Sequence, residues 1–170
     1  MQTYCSYARA LDNHHREHHD TEHGTVAKDD DDLFRRLILE ISQAGLSFDT
    51  VLKRKKTIYH AFPSIEKVSN YTAKDIEKLM QDAGIIRNRL KIKAAVYNAK
   101  TIKRLQKEHG SFKNWLDLHH PKTREEWVKL FRKHLKFTGG EIINEFLMSS
   151  CYLPGAHEKG CGFYKKKLHG

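Results

Sequence analysis

The fold of this 170-residue chain depends on one stretch, Leu39-Glu40-Ile41-Ser42-Gln43-Ala44-Gly45-Leu46-Ser47-Phe48. This stretch completes a helix predicted over about 31–44, whose apolar side chains share one broad arc of the helical wheel, as a core-facing helix requires. Gly45 ends the helix, and Leu46 and Phe48 are expected at the exposed turn that follows. The sequence therefore predicts a core helix that stops at a glycine turn.

Glu40 is the unusual residue of this helix. It lies at the edge of the apolar arc, on the side of Leu33, whereas Arg35, Ser42 and Gln43 are expected on the outer face. A carboxylate turned half toward a core costs solvation free energy unless it has a partner or a function. Two interpretations stay open at this point: a partly exposed glutamate beside a helix end, or a functional carboxylate.

Composition is typical of a globular domain, with 39% hydrophobic and 31% charged residues. No apolar run approaches the roughly 20 residues of a membrane span, and the first ten residues lack the layout of a secretion signal. We therefore expect a cytoplasmic protein without a membrane partner. The net charge of +10 indicates a polyanionic partner, of which nucleic acid is the commonest.

Helical periodicity continues through most of the chain, and no segment alternates with a period of two, so the fold class is predicted to be all-α. Residues 1–28 show no clear period and are rich in histidine. Further helices are predicted over about 47–55, 57–61, 64–68, 73–83, 87–108, 111–116, 124–134 and 141–151.

A glycine turn joins the two longest helices of the middle of the chain. Its sequence, Gly84-Ile85-Ile86-Arg87-Asn88-Arg89, has the layout of a helix-hairpin-helix element. A tight turn leaves backbone N–H groups free at the next helix's N-terminus, where a DNA phosphate would be favoured. Lys91 would add positive charge. An ordinary corner between two helices is the alternative.

Possible metal ligands lie at opposite ends of the chain: Cys5, His19, His157 and Cys161. Two thiolates and two imidazoles suit tetrahedral Zn²⁺, and a closed site of this kind is structural. It would fasten the N-terminal segment to the C-terminal tail. The alternative is a set of ordinary histidines without metal. Cys151 is expected to be a buried core thiol.

These motifs resemble the DNA-3-methyladenine glycosylase I family. The resemblance rests on Leu39-Glu40, on Gln43-Ala44-Gly45-Leu46-Ser47, on Val51-Leu52-Lys53 and on Gln81-Asp82-Ala83-Gly84-Ile85-Ile86-Arg87. His19-Asp20-x-Glu22-x-Gly24 and the four possible metal ligands are similar to the family's N-terminal motif and zinc clip. The similarity runs from about residue 4 to about residue 163 and is weakest between about 108 and 136.

The resemblance implies a single bilobal, all-α helix-hairpin-helix glycosylase over 1–170, with structural Zn²⁺ joining its N- and C-terminal segments. A hairpin-containing lobe would cover about 30–110, and a zinc-clipped lobe would combine about 1–29 with 111–170. The implied enzyme is a monomer that flips an alkylated purine, 3-methyladenine by resemblance, out of double-stranded DNA. It hydrolyses the N-glycosidic bond and leaves an abasic site.

The resemblance also implies roles for individual residues. Glu40 would be the base-pocket carboxylate that hydrogen-bonds the extruded base, with a general-base role second. Leu46 would fill the gap left by the flipped nucleotide. The residues implied to hold the DNA backbone are Gly84, Ile86, Arg87 and Arg89.

Four pocket positions depart from the family's pattern. His18 replaces a tyrosine, and tryptophans are replaced by His23, Phe48 and Tyr7. Because Trp is the best cation–π partner, the substrate could differ. A DNA-binding relative without base excision and a glycosylase for a different lesion therefore stay open. Protonation of His18 near its ordinary pKa of about 6.5 would repel a cationic purine, which predicts lower activity at acid pH.

Overall fold

The computed structural model describes residues 3–164, so the two ends of the predicted 1–170 domain lie outside the described residues. That part of the chain contains eleven α-helices and no strand, which confirms the all-α prediction. The helices are α1 (Tyr4–Arg9), α2 (His14–Thr21), α3 (Asp30–Gln43), α4 (Phe48–Leu52), α5 (Lys55–Ala61), α6 (Ile65–Ser69), α7 (Ala73–Gln81), α8 (Arg89–His109), α9 (Phe112–His119), α10 (Arg124–His134) and α11 (Gly140–Ser149).

Helices α1 and α2 correct the expectation that residues 1–28 lack periodic structure. Asn13 caps α2, whose inward positions hold His15, His18 and His19, all buried. These positions have the i, i+3, i+4 spacing of a core-facing helix. The period was invisible to a hydrophobicity pattern because imidazoles occupy the positions where aliphatic residues are normal.

The core is organised around α3. Asp29 caps it by accepting a hydrogen bond from Asp32 N–H, and acidic residues follow in the first turn, where the helix dipole favours them. One face packs on α11, and others pack on α4, α5, α8 and α9. Its fully buried side chains include Phe34, Leu37 and Ile41. One continuous hydrophobic cluster extends from this helix through α8 to α11.

The C-terminal end of α3 is capped by a side chain from α8. The Lys91 ammonium donates hydrogen bonds to the carbonyls of Ser42 (2.9 Å) and Ala44 (2.6 Å), where a cation also complements the helix dipole. The predictions that Ser42 faces outward and that Lys91 adds charge to the hairpin are therefore wrong, because the start of α8 covers this turn. Gly45 follows at φ +78°, and Leu46 is 41% exposed, as predicted for the turn.

The N-terminal segment is held against the rest of the chain by Arg36 and by a close backbone approach at Gly24. The buried Arg36 guanidinium pairs with Asp32 and donates to the carbonyls of Thr25 (2.7 Å) and Ser149 (3.0 Å). Gly24 has φ +65°, and a Cβ there would lie 2.7 Å from the Cβ of Ala156. Glycine is required at this contact.

The structure also tests the expectations for Cys151 and for membrane-spanning helices. Cys151 is buried, as expected, although it follows α11 and is not part of it. None of the helices in residues 3–164 combines the length and the apolar composition that spanning a bilayer requires.

Candidate active site and metal centre

Side chains from the two ends of the chain meet in a buried Cys/His cluster: Cys5, His19, His157 and Cys161. Cys5 Sγ lies 3.5 Å from His157 Nδ1. Cys161 Sγ lies 3.6 Å from His19 Nε2 and 3.7 Å from His157 Nδ1. Sulfur and nitrogen ligands of a tetrahedral Zn²⁺ stand about 3.5 Å apart, so the donor set and its spacing fit that ion.

Hydrogen bonds already orient both imidazoles of the Cys/His cluster. His19 Nδ1 lies 2.7 Å from the Asp20 carboxylate, which leaves Nε2 to face the cysteines. His157 Nε2 lies 2.8 Å from the carbonyl of His23, which leaves Nδ1 to face them. Partners of this kind fix the tautomer of a metal-binding histidine. The arrangement can therefore bind a metal without rearranging its histidine side chains.

A second group of rings, the aromatic cluster, lies beside the Cys/His cluster. Its members are Tyr4, Tyr7, His15, His18, His23 and Phe48. Centroid separations are 5.2 Å between His18 and Phe48, 5.9 Å between His18 and His23, and 5.2 Å between Tyr4 and His23. Three of the four predicted pocket residues thus come together directly. Tyr7 is 40% exposed and reaches the group through His15, at 5.2 Å.

Tyr4 and His15 were missed by the sequence reasoning, although both contact the Phe48 ring. Their positions in the sequence could have identified them. Tyr4 adjoins the expected ligand Cys5, and His15 lies three residues before His18 on one face of α2.

His18 is held neutral by its surroundings. Burial, and then the positive charge of Lys55, lower the pKa of His18 to about 2. Lys55 Nζ lies 3.2 Å from His18 Nδ1, and it also pairs with Glu22 at 2.9 Å. Protonation of His18 near pH 6.5 is therefore not expected, which removes the cause given above for lower activity at acid pH.

Glu40 is 5% exposed, so the partly exposed interpretation is wrong. The last turn of α3 is covered by α11, which the wheel of α3 by itself could not reveal. No hydrogen bond to the Glu40 carboxyl group is found among residues 3–164. Glu40 lines an open cavity of about 270 Å³, here called the carboxylate cavity, together with Gln43, Ala44, Gly45, Leu46, Glu141, Ile142 and Glu145.

Burial, and then the charges of Glu145 and Glu22, raise the pKa of Glu40 to about 8. The negative charge of Glu40 in turn contributes to the raised pKa of Tyr4, which connects the carboxylate to the aromatic cluster. Glu145 was not identified from sequence, and its own pKa is raised by burial and by Glu141. A buried carboxyl group with a strongly perturbed pKa beside a cavity is a functional-site candidate.

The segment between α7 and α8 begins as a tight, internally bonded turn. Gly84 N–H donates to Asp82 Oδ1 (2.8 Å), and Thr57 Oγ1 donates to the Gly84 carbonyl. A Cβ on Gly84 would lie 3.1 Å from the Thr57 Cβ. The N–H groups of Ile86 and Arg87 have no backbone acceptor in the described part of the chain.

The start of α8 offers fewer free groups than the sequence predicted. Asn88 Oδ1 already accepts from the N–H groups of Leu90 and Lys91. Arg89 forms a two-pronged ion pair with Glu77, whereas Arg87 is exposed. Lys91, in the first turn of α8, donates to the Ala44 carbonyl next to the Gly45–Leu46 turn. The residues implied to bind the DNA backbone and the residue implied to fill the gap therefore lie on neighbouring segments.

Comparisons with known proteins agree with this architecture. A DNA-3-methyladenine glycosylase of Haemophilus influenzae is 42% identical over 82 residues, covering 47% of this chain and 44% of that protein. DNA-3-methyladenine glycosylase 1 of Escherichia coli is 44% identical over 82 residues, covering 46% of this chain and 43% of that protein. The matched segment thus spans less than half the length of these two relatives.

Similarity in three dimensions extends further. A structure of 3-methyladenine DNA glycosylase I from Staphylococcus aureus superposes with a TM-score of 0.80 at 28% identity, covering 94% of this chain and 96% of that one. A structure of a 3-methyladenine DNA glycosylase I variant in complex with 3-methyladenine gives 0.81 at 27% identity, covering 94% and 97%. The family model for methyladenine glycosylase matches residues 8–139, more than half of the chain. The chain therefore belongs to the methyladenine glycosylase family.

Proposed function

We propose that this chain is a monofunctional DNA N-glycosylase that releases 3-methyladenine from double-stranded DNA. One observation carries the proposal: the buried carboxyl of Glu40 faces a cavity beside the Gly45–Leu46 turn without a partner among the described residues. A cationic, flipped base would supply that partner. Family membership and the relatives' described substrate support the same reaction.

The reaction needs little help from the protein beyond recognition of the positive charge on the base. An adenine alkylated at N3 is a cation, so the bond from C1′ to the base breaks with both electrons going to a base that leaves neutral. Water adds to C1′ and releases a proton. Glu40 would act by hydrogen-bonding the extruded base and favouring its positive charge, so that recognition carries much of the selectivity. An opposite charge nearby would also lower the pKa of Glu40 and ionise it on binding.

The altered aromatic cluster would weaken this recognition. Phe48 offers a smaller, weaker surface than tryptophan to a cationic ring. His18 is neutral and can hydrogen-bond a base without repelling it. We therefore expect release of 3-methyladenine that is detectable but slower than in a relative with Tyr and Trp at these two positions.

A base-release assay on alkylated DNA, with chromatography of the freed bases, tests the reaction. Glu40→Gln should lower the rate of release by about tenfold or more, the scale of one or two charged hydrogen bonds. The double variant His18→Tyr with Phe48→Trp should raise it. Glu141→Gln, on the exposed rim of the same cavity, is the matched control. No release by either the native protein or the double variant would favour a DNA-binding relative. Release of another base would favour a different lesion.

DNA would be held through its backbone by the helix-hairpin-helix segment from Gly84 to Arg89. The N–H groups of Ile86 and Arg87, which have no backbone acceptor within residues 3–164, the exposed Arg87 side chain and the net charge of +10 support this. Leu46, exposed on the neighbouring turn, would occupy the gap left by the flipped nucleotide.

The salt dependence of DNA binding tests this interface. For each phosphate neutralised, log affinity should fall with log salt by a slope of about 0.9, and Arg87→Ala should lower the slope by about one contact. Arg104→Ala, about 22 Å along α8 from its first residue, is the control. A slope near zero in the native protein would count against a DNA partner.

The Cys/His cluster would hold structural Zn²⁺ that joins the two ends of the chain. Its four buried ligands, their spacing and the two oriented imidazoles support this. Elemental analysis should find one zinc ion at this cluster, lost in Cys161→Ser together with thermal stability. The predicted lobes, about 30–110 and about 1–29 with 111–170, belong to the same proposal, as do a monomeric state and a cytoplasmic location.

A further inference from the structure

Outside the Cys/His cluster, two imidazoles and a carboxylate converge at the start of α2. His14 Nε2 lies 2.8 Å from Asp49 Oδ1, and His15 Nε2 lies 3.3 Å from the same oxygen. The three ligand atoms lie within 4.8 Å of one another. His14 and His15 begin α2, and Asp49 lies in the first turn of α4, so the group bridges two helices that pack together.

The imidazole ring of His15 is buried beside Asp49 without a well-aligned hydrogen bond in the described part of the chain. The side chain is 3% exposed, yet neither ring nitrogen has an acceptor or donor of suitable geometry among residues 3–164. The contact of 3.3 Å with Asp49 meets the distance of an ion pair but not the alignment of a hydrogen bond. Buried ring nitrogens are normally satisfied, so this one indicates a missing ligand between His15 and the carboxylate.

The remaining oxygen of Asp49 is engaged by Lys53 at 2.6 Å. That contact leaves Oδ1 directed to the two imidazoles, and Lys53 is 59% exposed, so its ammonium can move into solvent. Burial lowers the pKa of His15, which keeps its ring neutral as a ligand must be, and Lys53 followed by His14 lowers the pKa of Asp49 to about 2. The His15 imidazole and the Asp49 carboxylate are thus in states that can bind a cation.

The spacing suits a transition-metal ion. Bonds of about 2.0–2.2 Å place adjacent ligand atoms about 2.8–3.6 Å apart, from octahedral to tetrahedral angles, and the contacts of 2.8 Å and 3.3 Å to Asp49 Oδ1 fall within that range. Imidazoles with one carboxylate favour Zn²⁺, Co²⁺, Ni²⁺ and Cu²⁺ over Mg²⁺ or Ca²⁺, which prefer oxygen ligands throughout. Three protein ligands leave coordination positions open for water on the exposed side of Asp49.

We propose that His14, His15 and Asp49 form a second metal site for a divalent first-row transition metal, separate from the Cys/His cluster. An ion there would tie the start of α2 to α4. Because the His15 ring lies 5.2 Å from Tyr7 and 6.0 Å from Phe48, the ion would also fix one wall of the aromatic cluster. Its affinity should be lower than that of the Cys/His cluster, since it has three ligands and no thiolate.

Cobalt titration of the metal-free, full-length protein tests the proposal. Two Co²⁺ ions should bind per chain, with distinct spectra. The Cys/His cluster gives sulfur-to-metal charge transfer and strong tetrahedral bands, whereas the second ion, with nitrogen, oxygen and water ligands, gives only weak visible absorption. Native protein that binds Co²⁺ only with the sulfur-to-metal spectrum would overturn the proposal.

Variants assign each ion to its ligands. Asp49→Asn should weaken binding of the second ion by at least about tenfold and leave the thiolate spectrum intact. His14→Gln should have the same effect, and it tests the same site if Asp49→Asn folds poorly. Cys161→Ser should have the reverse effect. His60→Gln, an exposed histidine elsewhere, is the control. Two ions retained at unchanged affinity in both Asp49→Asn and His14→Gln would assign the second ion to other residues.

Discussion

Replacing Glu40 with glutamine should stabilise the folded protein while lowering its activity. The pKa of Glu40 is raised from 4.5 to about 8, chiefly by burial. Between these two values the folded chain keeps a proton that the unfolded chain has released. The unfolded state therefore binds fewer protons, and stability falls as pH rises through this window.

The size of the effect follows from the two pKa values, since each pH unit between them is worth about 1.4 kcal/mol. Integrated from about pH 5.5 to about pH 8.5, the loss attributable to Glu40 is about 3 kcal/mol. Glutamine resembles the neutral carboxyl in shape and does not ionise, so Glu40→Gln escapes this loss. The free energy of unfolding of Glu40→Gln, relative to that of the native protein, should therefore rise by that amount between about pH 5.5 and about pH 8.5.

Urea unfolding followed by fluorescence of the buried Trp115 and Trp127 measures the difference at each pH. Histidines titrate equally in both proteins, so the difference isolates Glu40. Glu141→Gln, an exposed carboxylate on the same cavity, should show no such widening gap. A difference between Glu40→Gln and the native protein that stays constant or shrinks with rising pH would refute the assignment of Glu40 as a buried, neutral acid.

Three further substitutions test neighbouring parts of the structure. Glu145→Gln should lower the pKa of Glu40, because it removes the largest charge that acts on Glu40. In a protein that carries Glu145→Gln, the stability difference caused by adding Glu40→Gln should therefore stop growing at a lower pH. Gly24→Ala should cost about 1–3 kcal/mol, because its Cβ would clash with Ala156 at a positive φ; thermal unfolding measures this, and an unchanged midpoint would contradict the close approach. Lys91→Met should cost about 2 kcal/mol by uncapping α3, yet leave the salt slope of DNA binding unchanged, whereas a phosphate contact would lower that slope.

The sequence was informative wherever local chemistry decides the structure. Helix α10 matches the predicted range 124–134, and the structure shows why its ends are sharp: Thr123 and Glu126 form a capping box, and charged residues of suitable sign occupy both ends. The end of α3 at a glycine turn was predicted for the same kind of reason, since Gly45 can adopt a positive φ. The four possible metal ligands also lie together in the structure, as expected for two thiolates and two imidazoles that suit one tetrahedral ion.

Two of the misses depend on contacts between segments distant in sequence, and a third depends on residue type. Glu40 is buried because α11 covers the end of α3, and nothing within the helix indicates that neighbour. Lys91 caps the end of α3 at Ala44, 47 residues earlier in the chain. The sequence around Lys91 does not show this partner, so its positive charge was assigned to phosphate binding. The buried face of α2 is made of imidazoles, which hydrophobic periodicity does not register.

The joining of the two chain ends has a consequence for the order in which the protein assembles. Cys5 and His157 are 152 positions apart, and closing so long a loop costs about 2 kcal/mol more than closing one of about ten residues. The N-terminal helices pack chiefly on each other and on the short α4, and polar contacts just after α2, such as Arg36 to Thr25 and Lys55 to Glu22, supply their other ties to the core. We expect α1 and α2 to be among the last helices to form and the first to exchange their amide hydrogens. Because these helices carry most of the aromatic cluster, that cluster should come apart while the core around α3 is still folded.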